Sequence, residues 1–526
     1  MSTAITLCEL IILESESIII VDETTLNLSG GISMKLSKIV SSLTSVFMLV
    51  SSVNLSVPMG ASAQEKMRDI STLELVRDMG IGINLGNTLE SCPSWYEEDW
   101  IAKWSEGKPV NYETAWGSPS VTKEMIEGMA KEGFGVLRIP VAWSNMMAHD
   151  DTYTINKEYD ARVHEIVDWT LECGMYAIIN IHWDGGWVNR FPDDKTESMK
   201  RYTHMWEQIA DSFKDYDDYL MFESQNEELG WESIWNPWGG TEGNAESYAL
   251  CNEINQKFVD TIRSSGGNNA ERHLLISGYN TGIDRTCDPL FKMPSDPAER
   301  MAVSVHYYSP AGFAILEEDA DWGKATPTWG SDQDYASLRS EMNMMKTNFT
   351  DKGIPVIIGE YGCPTKNKEP ESVRRFLTAV CDEAYKCGHC PVMWSTPGGH
   401  YNRETFKMED QELRNNLFAI GGKEYAPRTV TSEPVETTNE TVVETTTEGV
   451  TIVKGDANGD NEVDMSDVVM VMQACLNPAK YGKNGTSDDR ITPEGAIAAD
   501  VDGNEVLTTN DALIIQRFSL HIIETI

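Results

Sequence analysis

Two glutamates in this sequence follow apolar segments that lie far apart along the chain. Glu227 comes directly after the segment 219–226, and Glu360 comes directly after the segment 354–359. Short, continuous apolar runs are typical of strands that are buried on both faces of a parallel sheet. If the two strands belong to one barrel, their C-terminal ends open at the same mouth, and the two carboxyl groups face one another there. Such a pair can serve as acid/base and nucleophile in the cleavage of a glycosidic bond.

Polar and aromatic residues close the other predicted strands in the same way. One of them alone is weak evidence, because an isolated polar residue after a strand is more often a solvated loop residue. The ordered series around the ring is what indicates a common pocket. The candidate residues of this pocket, besides the two glutamates, are Arg138, His182, Asn226, His306, Tyr308 and Trp394.

The elements that must position these residues alternate regularly between residues 81 and 426. The predicted strands are 82–85, 135–140, 176–182, 219–226, 273–278, 301–308, 355–360 and 391–395, and amphipathic helical patterns lie between most of them, such as 121–131, 159–172, 199–213, 247–264 and 371–385. This alternation predicts an α/β fold, a (β/α)8 TIM barrel, rather than an open doubly wound sheet. None of the strands is followed by a glycine-rich phosphate loop, which argues against nucleotide binding.

The composition is acidic and rich in tryptophan. The 526 residues include 83 acidic and 42 basic ones, which gives a net charge of -41. A surface of this charge repels phosphate groups, so nucleic acids and anionic membranes are disfavoured as partners. The 15 tryptophans suit stacking on sugar rings, although each can equally fill the core. Among the ten cysteines only Cys387 and Cys390 have metal-like spacing, so buried free thiols are favoured over a zinc site. The sequence leaves open whether any of the cysteines form disulfide bonds.

The sequence also predicts a secretion signal that does not start at the first residue. Residues 34–63 combine a basic start at Lys35, an apolar stretch and a small-residue motif at 61–63. This is the pattern of a signal peptide, and it places the mature N-terminus near Gln64. Residues 1–33 lack the pattern, and we interpret them as an over-extended gene start. The sequence contains no other apolar run that is long enough to span a bilayer.

Beyond the barrel segment 64–426, the composition changes twice. Residues 427–452 are rich in Thr and Glu, which predicts an extended, self-repelling linker. Residues 453–526 then predict a small all-α domain with two acidic loops in register, each running into an apolar helical pattern, 468–476 or 512–520. Oxygen-bearing residues at alternate positions, closed by an acidic residue, are typical of Ca²⁺-binding loops, so we expect two Ca²⁺ ions. The ligand candidates are Asp456, Asn458, Asp460, Glu462, Asp464 and Asp467 in the first loop, and Asp500, Asp502, Asn504, Val506 (through its carbonyl), Thr508 and Asp511 in the second.

The barrel segment resembles family 5 of the glycoside hydrolases, in the endoglucanase branch called subfamily 4. The motifs that carry the resemblance are 82–89 (GINLGNTL), 136–141 (VLRIPV), 179–182 (INIH), 226–227 (NE), 306–308 (HYY) and 358–362 (IGEYG), together with Trp394. The resemblance implies that Glu227 is the acid/base, that Glu360 is the nucleophile, and that catalysis needs no cofactor. The sequence departs from the family pattern at Glu228, where Pro is usual, and at Trp183, where the branch often has His. We favour Glu227 over Glu228 as the acid because of its place beside Asn226.

A retaining mechanism sets conditions on this carboxyl pair. The two groups must lie about 5–5.5 Å apart, with Glu227 protonated and Glu360 ionised at the start. We expect Arg138 and Tyr308 to lower the pKa of Glu360, because a nearby cation and a hydrogen-bond donor both stabilise a carboxylate. We expect Glu223 to be an ion-pair partner inside the barrel, with Arg138 as its candidate partner, and not a catalyst.

The remaining pocket residues are expected to contact the substrate. Asn226 is placed to hold the sugar 2-hydroxyl, and Trp394 offers an apolar face to a sugar ring. His182 and His306 are expected to orient substrate hydroxyls or the acid/base. The loops around the cleft decide which polysaccharide fits, and the sequence alone does not identify that polysaccharide.

The C-terminal domain resembles a type I-like dockerin module of cellulosomal enzymes. It departs from the usual calcium loop in lacking glycine at the loop centre, where Asn461 and Glu505 stand. The resemblance implies that calcium is required for the fold and that the partner is a cohesin domain on a scaffold protein. The residues expected at the partner contact are Met465, Ser466, Thr509 and Asn510.

Together these features predict a secreted, extracellular, retaining endo-β-1,4-glucanase, a cellulase that hydrolyses cellulose or related β-glucans as part of a cellulosome. Xyloglucan, lichenan, xylan and mannan stay open as substrates of the same chemistry. A catalytically silent carbohydrate-binding component is the alternative from a different class, and a reducing-sugar assay separates it from the enzyme. For the tail, the alternative is a calcium sensor.

Overall fold

The computed structural model describes residues 12–14, 17–19, 67–92, 101, 105–148, 150–229, 245–428, 453–459, 463–483, 485–487, 490–501 and 507–519. The chain divides into two compact units, Met1–Ser432 and Glu433–Ile526. The predicted signal peptide 34–63 and nearly all of the predicted linker 427–452 lie outside the described residues. Near the start of the chain, Ile12–Glu14 and Ser17–Ile19 form a short antiparallel pair.

Eight parallel strands close into a barrel in the first unit. They are β1 (Gly82–Asn84), β2 (Val136–Ile139), β3 (Tyr176–Asn180), β4 (Leu220–Glu223), β5 (Leu274–Ser277), β6 (Met301–Tyr307), β7 (Val356–Tyr361) and β8 (Cys390–Met393). Each strand pairs with the next one along the chain, and β8 pairs with β1 to close the ring. The predicted (β/α)8 barrel is therefore confirmed. Most strands are shorter than predicted, because the polar residues at their C-terminal ends belong to loops.

Helices surround the barrel, and several of them begin at residues whose side chains satisfy free backbone N–H groups. Asn156 caps the helix Lys157–Glu172, and Asp194 caps the helix Lys195–Ser212. Such caps are strongly preferred because the first N–H groups of a helix have no intrahelical partner. The other helices of this unit are Thr72–Met79, Pro109–Thr114, Lys123–Lys131, Ala245–Ser264, Ile283–Thr286, Ala311–Ala314, Asp332–Asn348, Pro370–Lys386 and Gln411–Gly421. Single 3-10 turns occur at Trp143–Met146, Trp187–Arg190, Gly267–Ala270, Tyr279–Thr281 and Thr350–Lys352, and Tyr401–Asn402 pairs with Lys407–Met408.

The interior of the barrel is apolar at one end and polar at the other. Helix Thr72–Met79 closes the N-terminal end, where its apolar residues join one cluster with Val136 of β2 and Met221 of β4. Residues two apart on a strand face the same side. Arg138, two residues after Val136, and Glu223, two residues after Met221, therefore also face the inside of the barrel. Both of these charged residues are completely buried. The fold therefore places a polar layer below the C-terminal mouth.

The second unit is a small helical domain around an apolar core. Its helices are Met465–Leu476, Pro478–Tyr481, Pro493–Ala499 and Thr509–Ser519. Val471, Ile491 and Ile515 are buried in the core between them. Both predicted tail helices are present and begin slightly earlier than expected, and loop residue Asp464 also caps the first of them. Throughout the described part of the chain, no helix combines the length and the apolarity that a membrane span needs.

Candidate active site

Arg138 lies at the centre of the polar layer and bonds to four side chains. Its Nε donates to Glu223 at 2.7 Å, and its Nη2 donates to Asn226 Oδ1 at 2.9 Å. Its Nη1 donates to Asn84 Oδ1 at 3.0 Å and to Glu360 Oε1 at 2.8 Å. A planar guanidinium offers several donors in a fixed geometry, which suits it to hold four acceptors at once. The expected ion pair between Arg138 and Glu223 is present, and the same cation also reaches Glu360.

Glu223 belongs to the framework of the site and not to its cleft. Besides the bond from Arg138, its carboxylate accepts from Asn180 Nδ2 at 2.9 Å and from Ser304 Oγ at 2.7 Å. A buried carboxylate is tolerated only when it is paired and fully hydrogen-bonded. These partners meet that condition and leave Glu223 with a structural role.

Glu360 is held in the wall of the barrel by a cation and a phenol. Arg138 donates to its Oε1 at 2.8 Å, and the Tyr308 hydroxyl donates to its Oε2 at 2.9 Å. Burial raises the pKa of Glu360 above its ordinary value, whereas His306, Arg138 and Tyr308 act in the opposite direction. Arg138 and Tyr308 therefore act on the pKa of Glu360 in the expected direction, but the net shift is upward because burial outweighs them. The physical reason is that the carboxylate loses its hydration and lies close to the negative charge of Glu227.

Glu227 lies beyond the end of β4, opposite Glu360 across the cleft. Its Oε1 lies 2.6 Å from His306 Nδ1, and the same nitrogen lies 3.6 Å from Glu360 Oε2. A carboxylate oxygen of Glu227 lies within 4.8 Å of one from Glu360. The Glu227 side chain is 27% exposed and that of Glu360 is 7% exposed. The structure thus brings the two predicted carboxyl groups together, with His306 between them.

An open cleft of about 680 Å³ contains both carboxylates. His182 and Trp394 form part of its floor, with ring planes inclined by only 6° and centroids 6.2 Å apart. Burial and the nearby Arg138 cation lower the pKa of His182 well below its usual value, so this imidazole is neutral. The cleft is also lined by Asn226, Tyr308, Ala314, Ile315, Glu317, Gly362, Cys363, Pro364, Thr365, Lys366, Thr396, Pro397, Gly398, Gly399 and His400. All the predicted pocket residues except Arg138 and His306 therefore line the cleft. These two lie outside the lining and bond to Glu360 and Glu227, respectively.

Trp394 is held in place by the loop that follows β1. A Cβ atom on Gly86 would lie 2.8 Å from the Trp394 ring, so only glycine allows this close approach. Buried Arg403 donates from Nη2 to the carbonyls of Gly86, at 2.6 Å, and Ser395, at 2.9 Å. Sequence reasoning missed Arg403, because it lies in a hairpin far beyond the strand ends.

Glu228 and Trp183, the two departures from the family pattern, lie outside the cleft lining. Glu228 is buried, does not line the cleft, and has Asp184 and Arg201 as charged neighbours. Burial raises the pKa of Glu228 well above its ordinary value, and the nearby charges of Glu227 and Asp184 add to this rise. Trp183 is 37% exposed and also lies outside the cleft lining.

Three further residues of the polar layer were not singled out from the sequence. Asn84, Asn180 and Ser304 are completely buried and bond to Arg138 or Glu223. Asn84 and Asn180 are the last residues of β1 and β3, so the rule that found Arg138 applies to them as well. Ser304 lies in the middle of β6, where only the inward-facing register distinguishes it.

The two predicted calcium loops share one backbone framework. In the first loop, Asp467 accepts from the backbone N–H of Ala457 at 2.8 Å and of Asp464 at 2.9 Å. In the second loop, Asp511 accepts from those of Val501 at 3.0 Å and Thr508 at 2.7 Å. The described candidates Asp456, Asn458, Asp464, Asp467, Asp500, Thr508 and Asp511 all carry side-chain oxygen atoms, which fit Ca²⁺. The candidates Asp460, Glu462, Asp502, Asn504 and Val506 lie outside the described residues.

The residues expected at the partner contact are described only in part. Met465 and Ser466 are exposed at the start of their helix. The side chains of Thr509 and Asn510 lie outside the described residues. The exposed pair is accessible to a partner, as the prediction requires.

Comparison with known proteins gives the same two-part division. Residues 104–396 match the family described as "Cellulase (glycosyl hydrolase family 5)", and residues 454–518 match the "Dockerin type I domain". The "Cellulase/esterase CelE" of Acetivibrio thermocellus is 35% identical over 424 residues, which cover 78% of this chain and 47% of that protein. The "Endoglucanase B" of Neocallimastix patriciarum is 36% identical over 377 residues, which cover 69% of this chain and 74% of that protein. The chain thus matches about half the length of the first relative and about three quarters of the second.

Solved structures with the same barrel include a "GH5-4 broad specificity endoglucanase from an uncultured bovine rumen ciliate". It is 37% identical, has a TM-score of 0.59, and covers 67% of this chain and 98% of its own. The family match covers more than half of the chain, and the barrel with its two facing glutamates agrees with it. The chain therefore belongs to glycosyl hydrolase family 5 and carries a type I dockerin domain in its C-terminal part.

Proposed function

We propose that the protein is a secreted, retaining endo-β-1,4-glucanase that cleaves cellulose or related β-glucans by double displacement. The observation that carries the proposal is the pair of carboxylates, Glu227 and Glu360, whose oxygens approach within 4.8 Å in one open cleft. This spacing is that of a nucleophile and an acid/base, since an inverting pair needs room for a water molecule, at about 6.5–9.5 Å.

In the first step, Glu360 attacks the anomeric carbon of the sugar and Glu227 protonates the leaving oxygen. The C1–O bond to the leaving chain breaks while a C1–O bond to Glu360 forms, and the proton passes from Glu227 to the departing oxygen. The fixed position of Glu360 between Arg138 and Tyr308 favours attack, because an oriented nucleophile loses little entropy. The raised pKa of Glu360 makes it a stronger nucleophile once it is ionised.

In the second step, Glu227 takes a proton from water, and the water oxygen attacks C1. The bond between C1 and Glu360 breaks, and the carboxylate returns to Arg138 and Tyr308. Glu227 has lost its proton to the leaving group in the first step, and formation of the ester has removed the negative charge of Glu360, so Glu227 can now act as a base. His306 Nδ1 lies 2.6 Å from Glu227 and 3.6 Å from Glu360, so it helps to hold the Glu227 carboxyl group facing Glu360.

Asn226 is oriented to recognise the reacting sugar. Arg138 Nη2 donates to Asn226 Oδ1 at 2.9 Å, which turns the Asn226 nitrogen away from the guanidinium. That nitrogen is then available in the cleft to donate to the sugar 2-hydroxyl, a bond that strengthens in the transition state. Trp394 offers an aromatic face for a neighbouring sugar ring, which aromatic residues bind by stacking.

Single substitutions test the catalytic assignment. Glu227→Ala and Glu360→Ala should each abolish release of reducing sugar from β-glucan while the thermal unfolding midpoint stays close to that of the unmodified chain. Glu228→Gln is the matched control and should retain activity. The assignment is overturned if the Glu228 variant is inactive and the Glu227 variant is active. The same assay on a panel of cellulose, lichenan, xyloglucan, xylan and mannan identifies the preferred polymer.

We further propose that the chain works outside the cell as a component of a cellulosome. The dockerin match at residues 454–518 supports attachment to a cohesin domain, with Ca²⁺ at two loops maintaining the domain. The domain order would be an over-extended gene start at 1–33, a signal peptide at 34–63, the catalytic barrel at 64–426, a linker at 427–452 and the dockerin at 453–526. N-terminal sequencing of secreted protein should find a mature chain near Gln64, and a chain that retains residues 34–63 would contradict the order.

A further inference from the structure

The loop that follows β5 has a backbone conformation that needs external support. Asn280 and Thr281 have φ values of +50° and +46°, in the left-handed region. Asparagine tolerates this region, but a β-branched threonine in it is a strained outlier. Two such residues in succession persist only where surrounding contacts fix them, and strain of this kind concentrates at functional sites.

The side chain of Asn280 connects this strained loop to the backbone of Glu227. We assign the amide orientation from its neighbours, because only the nitrogen can pair with the Glu227 carbonyl oxygen and only the oxygen with Arg285 Nη1. In this orientation Asn280 donates to the Glu227 carbonyl at 2.7 Å and accepts from Arg285 Nη1 at 3.2 Å. Glu227 lies beyond the last residue of β4, so its main chain depends on loop contacts and not on the sheet ladder. Asn280 therefore holds the proposed acid/base from the backbone side.

The helix Ala245–Ser264 in turn supports the loop through two tyrosines. Tyr248 stacks on Tyr279 with ring centroids 4.1 Å apart, and the Tyr248 hydroxyl donates to the Arg285 carbonyl at 3.0 Å. The Tyr279 hydroxyl lies 2.8 Å from Ser247 Oγ and donates to the Leu229 carbonyl at 3.2 Å. The loop after β5 is thus fixed on both sides, and it holds the segment after β4 at two carbonyls.

Glu227 is therefore contacted at both its side chain and its backbone. His306 contacts the Glu227 carboxylate at 2.6 Å, and the Asn280 amide contacts the Glu227 carbonyl at 2.7 Å. We propose that Asn280 is a positioning residue that sets the direction of Glu227 for proton transfer to the leaving oxygen. The inference rests on the proposed function, because it assumes that Glu227 is the acid/base.

A positioning role predicts a dependence on the leaving group that a merely structural role does not. A leaving group that departs readily as an anion needs little protonation, whereas a poor one depends on a correctly placed acid. The parameter kcat/KM for an aryl glycoside reports the first step, so two aryl substrates with the same sugar isolate this dependence.

The test uses the full chain with Asn280→Gly and two substrates, phenyl and 2,4-dinitrophenyl β-cellotrioside. Glycine adopts the left-handed conformation without strain, so the substitution removes the amide and keeps the backbone geometry. We expect kcat/KM to fall about tenfold for the phenyl substrate and less than about twofold for the dinitrophenyl substrate, as for a partial loss of general-acid catalysis.

Asn367→Gly is the matched control. Asn367 also has a positive φ, of +59°, and its amide donates to the carbonyl of Glu317 in the wall of the cleft instead of to Glu227. This variant should change kcat/KM for the two substrates by the same factor.

Three outcomes are distinguishable. A selective loss on the phenyl substrate in the Asn280 variant alone supports the inference. Equal changes on both substrates, or no change, overturn it and leave the proposed function intact. If the unmodified chain cleaves neither the aryl glycosides nor β-glucan, the proposed function fails and the inference fails with it.

Discussion

At the scale of single residues, the site depends on one cation shared between two carboxylates. Arg138 contacts Glu223 at 2.7 Å and Glu360 at 2.8 Å, and all three side chains are buried. Burial and the nearby charge of Glu227 explain why the net pKa of Glu360 is raised although a guanidinium touches it. The site thus combines a framework carboxylate, Glu223, with the carboxylate that we propose as the nucleophile, Glu360.

Arg138→Lys should therefore damage both the reaction and the fold. An ammonium group cannot hold four acceptors in the plane of the guanidinium, so Glu360 and Asn226 lose their orientation. We expect kcat on β-glucan to fall at least about 100-fold and the free energy of unfolding to fall by about 3 kcal/mol, as for other broken buried ion pairs. Arg339→Lys, at a half-exposed position 3.9 Å from Glu383, is the control and should change neither quantity measurably.

Tyr308→Phe should shift the pH dependence of catalysis. The Tyr308 hydroxyl stabilises the ionised form of Glu360, so its loss should raise the pKa of Glu360 further. Because Glu360 must be ionised to attack, the acidic limb of the profile of kcat/KM against pH should move to higher pH. The neighbouring Tyr307 packs against Phe376 outside the barrel, so Tyr307→Phe should leave the limb in place. An unchanged limb in the Tyr308 variant would contradict this role.

At the scale of elements, the site is built where strands end and loops begin. The alternation of strands and helices, and the strand-end rule, were enough to predict the barrel and to bring Glu227 and Glu360 to one mouth. The loops were not predictable in the same way, because Asn280 and Arg403 act through long-range contacts that have no local sequence pattern. Framework residues such as Ser304 were missed because burial alone gives no signal of function.

The loop after β1 contains a titratable group with a consequence for stability. Burial raises the pKa of Glu90 to about 7, although its carboxylate accepts from the backbone N–H groups of Asn87 and Thr88. The folded state thus binds this proton more tightly than the unfolded chain, whose pKa is near 4.5. The stability contributed by Glu90 is present below the unfolded pKa and is lost as the pH rises through about 7, by about 3 kcal/mol in total.

Glu90→Gln should remove this dependence. The free energy of unfolding, measured by urea titration at about pH 5 and about pH 8, should fall less between the two values in the variant than in the unmodified chain. Equal falls in the two proteins would show that Glu90 keeps its ordinary pKa in the folded state.

At the scale of the whole molecule, the two units use different sources of stability. The first unit buries a large apolar core around a closed barrel. The core of the second unit is much smaller and lies beside two loops of acidic residues that repel one another without a cation. Small domains of this kind commonly depend on a bound metal for their fold.

Removal of calcium should therefore impair partner binding by the second unit and leave hydrolysis by the first unit unchanged. In a calcium chelator we expect binding to an immobilised cohesin domain to be lost, while the rate of β-glucan hydrolysis in solution stays within about twofold of its value in Ca²⁺. Added Ca²⁺ should restore binding. Loss of hydrolysis in the chelator would contradict an independent catalytic unit, and chelator-resistant binding would contradict the metal dependence.

The most direct test of the central claim is the configuration of the first product. A cello-oligosaccharide is hydrolysed, and proton NMR records the product before its anomers equilibrate. The anomer that forms first shows from which face of the sugar ring water attacks C1. If Glu227 and Glu360 act as acid/base and nucleophile, the newly formed reducing end should appear first as the β-anomer. Initial formation of the α-anomer would contradict the account.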